Sequence, residues 1–287
     1  MQVAIVDAFT RTPGAGNRAG VVLDAAGLGE DRMRAAARAV AASETAFVDH
    51  GAGEVRVRSF SPEAEIAFCG HATVALLHLL AERGLVAVPA APVLVCPAGR
   101  LAAELEATAQ GTRAWIDTPL APFQPSPLAP EQLLALLGGE ARMRDPELPI
   151  RRAGGELFVP LARQGDLFAL APRFQALAAA GGEHGVQGFY VFTREVVEAG
   201  NAVQARFFSP AVGIREDPVT GSASGPLGAY LAAEGVVAAP ARLRAEQGDA
   251  MGKPGRVDIE LLGRGRTVER ARIGGLGVTV IEGELRV

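Results

Sequence analysis

The chain has 287 residues, 49 % hydrophobic and 21 % charged, a globular composition long enough for one large or two ordinary domains. A formal net charge of −4 at pH 7, with no long basic run, excludes the electrostatic footprint of a nucleic-acid or anionic-membrane binder. Cys69 and Cys96 are too few for a disulfide scaffold, no basic signal-peptide segment opens the chain, and no apolar stretch approaches the ~20 residues that span a bilayer, so a cytoplasmic protein is expected.

In chain order, Val3 to Asp7 and Gly20 to Leu23 read as strands. Residues 31 to 42, DRMRAAARAVAA, have helical composition with Met33, Ala37, Val40 and Ala41 able to share a face. Ser43 to Val48 and Glu54 to Phe60 alternate like strands flanking a Gly-containing turn at 51 to 53. Ala72 to Leu85 is the strongest helix of the first half, followed by a meander over Pro92 to Cys96, Leu101 to Leu105 and Thr112 to Asp117. Residues 118 to 130, TPLAPFQPSPLAP, carry five prolines. Proline fixes φ and removes a ladder donor, so this stretch is expected to be a domain linker.

Beyond it come a short helix at Gln132 to Leu137, a strand at Glu156 to Pro160 and a helix at Phe174 to Ala180. Gly188 to Thr193 and Ala202 to Phe208 are expected strands, and Pro226 to Ala233 an expected helix. Strands fill the rest: Ala241 to Glu246, Arg256 to Leu262, Thr267 to Ile273 and Gly277 to Glu282.

The two halves repeat. RSFSP at 58 to 62 returns as RFFSP at 206 to 210, and each is followed by a glycine-led helix start, at Gly70 and at Gly221. The second half carries three extra residues between these boxes. Two boxes in one order imply duplication and two similar lobes, and ligands favour the interface between such lobes.

The chemistry-bearing residues cluster in these boxes. The first amides of a helix lack internal partners and carry the positive end of the macrodipole, so Gly70 and Gly221 suit a carboxylate or oxyanion; the competing reading is ordinary helix starts with small packing residues. His71 follows Gly70 and can hydrogen-bond substrate or move a proton, or stand as a solvated helix residue. His50, His78 and His184 give it no metal-ligand spacing, so no metal is expected. Cys69 at the helix start has a reactive thiol's setting, but Thr220 stands in its mirror position, which disfavours two-thiol racemase chemistry. Asp217 precedes Pro218, so its backbone is pushed to the extended region, where its carboxylate can reach the amides at Val219 and Thr220. Glu44, in ASETAFV, must either turn to solvent or accept a raised pKa, the latter suiting a general acid/base at carbon.

DAFT (7–10), GN (16–17), SETAFV (43–48), FCGHATVA (68–75), FFSP (207–210), EDPVTGSA (216–223), EQG (246–248) and MGKPGR (251–256) together resemble the phenazine-biosynthesis PhzF-like isomerase family. The boxes run in order from residue 7 to 256, whereas 118 to 200 carries no matching box. Lys253 and Gly255 depart from the Arg and Ser commoner in that family.

The resemblance implies an α+β, diaminopimelate epimerase-like fold, also shared by proline racemase. It has two similar lobes from internal duplication, each a mostly antiparallel sheet wrapped around a central helix. The N-terminal lobe is expected over 1–118, completed by the last strand at 277–287, and the C-terminal lobe over 119–276, with the active site in the cleft between them. By resemblance Glu44 is the acid/base that moves a proton between carbons, and His71 and Asp217 hold substrate and assist. Gly70, Gly221 and Ser222 surround the substrate carboxylate, and Asn17 faces the cleft from an early loop. The implied activity is cofactor-independent isomerisation of a small carboxylate by a homodimer, with trans-2,3-dihydro-3-hydroxyanthranilate as the template substrate. Two alternatives stand beside it: an amino-acid racemase or epimerase using Cys69, and a non-catalytic two-lobed carboxylate-binding protein.

Overall fold

The computed structural model describes residues 1–51 and 54–287, so the turn expected at 51–53 falls largely outside the described residues. Met1–Asp117 with Arg272–Val287 forms one compact unit and Thr118–Ala271 the other.

The first unit opens with β1 (Gln2–Ala8), β2 (Asn17–Val22), α1 (Glu30–Val40), β3 (Glu44–Gly51) and β4 (Glu54–Phe60). It continues through β5 (Glu65–Ile66), α2 (Gly70–Glu82), β6 (Val93–Cys96), β7 (Gly99–Thr108) and β8 (Gly111–Thr118), whose last residue already belongs to the second unit. The second unit adds β9 (Phe123–Pro125), α3 (Pro130–Leu136), β10 (Arg151–Ala153), β11 (Glu156–Leu161), α4 (Gln164–Ala169), α5 (Phe174–His184) and β12 (Gly188–Thr193). It then runs through β13 (Val203–Ser209), β14 (Ile214–Asp217), α6 (Gly221–Ala233), β15 (Ala239–Gln247) and β16 (Gly255–Gly265). The chain returns to the first unit within β17 (Thr267–Gly275), and β18 (Gly277–Glu284) lies antiparallel to β1.

The duplication is written in the pairing order. Along β1–β2–β3–β4–β6–β7 neighbours alternate antiparallel, parallel, antiparallel, parallel, antiparallel. The path β10–β11–β12–β13–β15–β16 repeats that alternation. A parallel neighbour needs a crossover. α1 and α2 cross over in the first unit; α4 with α5, and then α6, do so in the second.

Each unit wraps its strands on a helix that is apolar almost all round. In α2 every residue from Gly70 to Leu80 except His78 is buried, and the helix packs on β1, β2, β3 and β18. In α6 Ala223 to Ala232 are all buried, against β11, β15 and β16. A helix buried on all faces needs small and aliphatic residues in every direction, which HATVALLHLL and ASGPLGAYLA supply. The fold is therefore the expected α+β one.

The repeated arginine boxes have a matching structural reason. Arg58 pairs with Glu65 and lies 5.1 Å over the Phe60 ring; Arg206 pairs with Glu216 and lies 4.9 Å over the Phe208 ring. The connection from Pro210 to Gly221, three residues longer than that from Pro62 to Gly70, opens with a 3₁₀ turn, Pro210–Val212.

The proline-rich stretch is not wholly a linker. Phe123–Pro125 pairs antiparallel with β10 as a three-residue edge strand, where proline's missing donor costs no ladder bond. The helix expected to reach residue 42 stops at Val40, because Ala41 takes φ 54°, a left-handed helix end. That early stop frees Ser43 and Glu44 to turn into β3.

Candidate active site

In the first unit, the end of α1 and the start of α2 bring together the residues that carry chemistry. Glu44 opens β3 directly after the left-handed turn at Ala41. Cys69 is extended at φ −135°, and Gly70 and His71 form the first turn of α2, with no side chain capping that helix start. Thr73 holds the turn by donating its hydroxyl to the Cys69 carbonyl at 2.7 Å.

The result is a compact triad. His71 Nε2 lies 3.1 Å from Glu44 Oε2 in ion-pair contact and 3.2 Å from Ser43 Oγ. His71 Nδ1 lies 3.4 Å from Cys69 Sγ. Both Glu44 and His71 are 7 % exposed, and Glu44 Oε2 makes no aligned hydrogen bond among the described residues. A buried carboxylate oxygen with a charge partner but no committed donor is placed to accept a proton from elsewhere.

The electrostatics reverse one expectation. Burial pushes the Glu44 carboxyl up, but the close His71 imidazole, with Ser43 and Cys69 beside it, outweighs this and leaves Glu44 below its usual range. The expected rise of the Glu44 pKa is therefore corrected: the sequence shows its apolar neighbours but not the imidazole folded against it. For His71, burial disfavours the cation, yet Cys69 and Glu44 together hold its pKa well above the usual imidazole range. Each partner favours the charged form of the other, so the pair rests as imidazolium with carboxylate.

Asn17 is buried at the start of β2, and its box is explained by its neighbour. Gly16 has φ +64°, and a Cβ there would sit 2.2 Å from the Ala8 carbonyl oxygen. Two residues beyond Asn17, Ala19 is the register partner of Glu44 across β2 and β3. Ser43 and Cys69 are the contacts of this group that sequence reasoning did not assign as partners of Glu44 and His71; both stand beside a singled-out residue, but a chain tells nothing of which side chain faces which.

The second unit rebuilds the same start. Asp217 ends β14, and Gly221 and Ser222 begin α6, again with no side-chain cap. Ser224 donates its hydroxyl to the Thr220 carbonyl at 2.8 Å, the counterpart of Thr73 on Cys69. Thr220 donates its hydroxyl, at 2.5 Å, to Asp217 Oδ2, while its amide goes to Gln247 Oε1 at 3.1 Å. The reach from Asp217 to the Thr220 amide is thus corrected, since Gln247 occupies that donor. Gln247 Nε2 also donates to the Asp217 carbonyl at 2.8 Å, which gives the EQG box its work. Gly221 is buried and Ser222 is exposed at the helix start.

One metal-competent group occurs among the described residues: single ligand atoms of Glu44, Cys69 and His71 all lie within 4.8 Å of one another. Histidine spacing in the sequence misses it because two of its three members are not histidines.

With this geometry in view, the comparisons place the chain. Its fold is shared with a probable proline racemase from Agrobacterium radiobacter, at TM-score 0.61 and 13 % identity over 100 % of this chain and 93 % of that one. The phenazine biosynthesis-like protein family, PhzC-PhzF, matches residues 6–283. An uncharacterized isomerase of Deinococcus radiodurans is 40 % identical over 294 residues, 98 % of this chain and 93 % of that protein. The crystal structure of a Bacillus anthracis phenazine biosynthesis protein of the PhzF family superimposes with TM-score 0.92 at 32 % identity, covering 100 % and 99 % of the two chains. The fold and the relatives define the class as isomerases of the diaminopimelate epimerase-like type. The chain belongs to the phenazine biosynthesis-like PhzC-PhzF family. No helix among the described residues is long and apolar enough to cross a membrane.

Proposed function

We propose that this isomerase moves a carbon-bound proton within a small carboxylate substrate without a cofactor, and that Glu44 is the acid/base that carries it. The observation behind this reading is the buried Glu44 Oε2, 3.1 Å from His71 and uncommitted to any aligned donor. Glu44, resting as carboxylate, takes the proton; beside the His71 imidazolium the resulting carboxylic acid is a strong one and returns the proton readily to a second carbon. The open amides at the start of α2 suit a substrate carboxylate, whose charge also offsets that of His71. Asp217, Gly221, Ser222 and Asn17 are assigned to the same substrate, and the homodimer to the working form, on the sequence resemblance.

The His71 contact keeps Glu44 deprotonated at rest, the state in which it can accept a proton. A racemase built on Cys69 has no second thiol in the repeat, where Thr220 donates its hydroxyl to Asp217. The test is turnover of a panel of amino- and hydroxy-carboxylates, including trans-2,3-dihydro-3-hydroxyanthranilate. Wild type isomerises a member of the panel, and Glu44→Gln binds that member without converting it. Full activity in Glu44→Gln ends the reading.

A further inference from the structure

A cavity of about 420 Å³ lies within the second unit, lined among others by Ser222, Glu156, Gln187, Phe207 and Pro226. Ser222 ties it to the helix start assigned above to the substrate carboxylate. Glu156 is the only titratable side chain in the lining, which contains no arginine, lysine or histidine. Glu156 is half-buried, and among the described residues its carboxylate has no hydrogen-bond or ion-pair partner. Burial alone pushes it up to about 7.

The surroundings hold Glu156 in place. It is the register partner of Gly188 across β11 and β12, and a Cβ at Gly188 would lie 3.5 Å from Glu156 Cγ and 2.3 Å from the Phe207 ring. The absent side chain lets the Phe207 ring lie against the strand. The arginines of the neighbouring strand β10 are already engaged: Arg151 pairs with Glu234, and Arg152 donates to the carbonyls of Gly154, His184 and Gly185. Pro226, also in the lining, has no N–H to give the Ser222 carbonyl one turn earlier, so that carbonyl lacks its usual helical donor. The cavity therefore offers acceptors without a fixed cation, beside apolar surface from Phe207, Leu120 and Val212.

We propose that this cavity is a specificity subsite in which Glu156 receives an ammonium group of the substrate, selecting amino-carboxylates over hydroxy-carboxylates. An ammonium brings three donors and the missing positive charge; a hydroxyl brings one donor and no charge. The proposal rests on the carboxylate-isomerase reading and deepens it by naming the substrate's second recognised group.

The test uses stable ring analogues: cis-2-aminocyclohexanecarboxylate, cis-2-hydroxycyclohexanecarboxylate and cyclohexanecarboxylate, titrated by calorimetry into wild type and Glu156→Gln. In wild type the amino analogue binds roughly ten- to a hundredfold tighter than the hydroxy one, the range of a charge-assisted hydrogen bond. In Glu156→Gln that preference collapses, while affinity for cyclohexanecarboxylate stays within about threefold. The wild-type comparison needs no variant, so a folding defect in Glu156→Gln does not shield the idea. Equal wild-type affinities, or an amine preference that survives Glu156→Gln, overturn the subsite and leave the carboxylate reading standing. Failure of all three analogues to bind wild type removes the carboxylate reading and the subsite with it.

Discussion

His71 Nε2 and Glu44 Oε2 stand 3.1 Å apart with both side chains 9 % exposed, so each holds the other in its charged form. This makes the pair a pH-dependent element of stability. Glu44, held below its usual value of 4.5, contributes above that pH and loses the contribution as pH falls through its lowered pKa. His71, raised well above 6.5, contributes fully below that value and loses it as pH rises through its raised pKa. Urea unfolding across the pH range should show the pair's contribution greatest between 4.5 and 6.5 and declining on both sides. His71→Gln should flatten both limbs, and an unchanged pH profile in that variant would contradict the pairing.

Cys69 touches the same imidazole from its other side, Sγ to Nδ1 at 3.4 Å. If Glu44 carries the proton as proposed, Cys69→Ala should keep activity within about tenfold of wild type, since the thiol is then a neighbour of the carrier. The imidazole titration of His71, followed by NMR, should move down as one of its two stabilising partners is removed. An inactive variant would instead revive the thiol chemistry.

The two repeated arginine–glutamate pairs differ in burial and should differ in worth. Arg206 and Glu216 have side-chain exposures of 10 % and 16 %, against 36 % and 27 % for Arg58 and Glu65. Arg206 also donates to the Leu167 and Leu170 carbonyls, so Glu216→Gln strands a cation that the fold cannot release. A loss of about 3–5 kcal/mol is expected there. Glu65→Gln should cost about 1 kcal/mol or less, since Arg58 is half open to water and keeps Glu30 as a second partner. Equal destabilisation in chemical denaturation would refute the distinction.

Gly16→Ala tests why GN precedes β2. With φ +64° and the Ala8 carbonyl oxygen 2.2 Å from the new Cβ, the backbone must move. A destabilisation of about 2 kcal/mol or more is expected, together with impaired substrate binding as Asn17 shifts. Wild-type melting temperature and affinity would show that the turn has room.

Much of this was legible from residue order. The strand Gly188–Thr193 and the start of β4 at Glu54 follow from apolar, β-branched and aromatic runs bounded by glycine. The repeat of Arg58 and Arg206 was visible as letters, but not its cause, because Glu65 and Glu216 stand in short strands that carry no periodic signal. β10 and α4 were missed for the same reason: three and six residues are too few to show a period. In the site, Glu44, His71 and Gly70 could be named, whereas their mutual distances depend on a left-handed turn at Ala41 that no glycine or asparagine announces. Glu156 was hidden most completely, since only the fold shows a carboxylate facing a cavity with no cation.

The most direct test of Glu44 as proton carrier is NMR-detected isotope exchange in D2O with trans-2,3-dihydro-3-hydroxyanthranilate and the carboxylate panel, on wild type and Glu44→Gln. Wild type should give isomerised or carbon-deuterated product, and Glu44→Gln should reduce both by at least ~100-fold while still binding ligand. Carbon deuteration at the wild-type rate in Glu44→Gln, or isomerisation that persists there, would contradict the account.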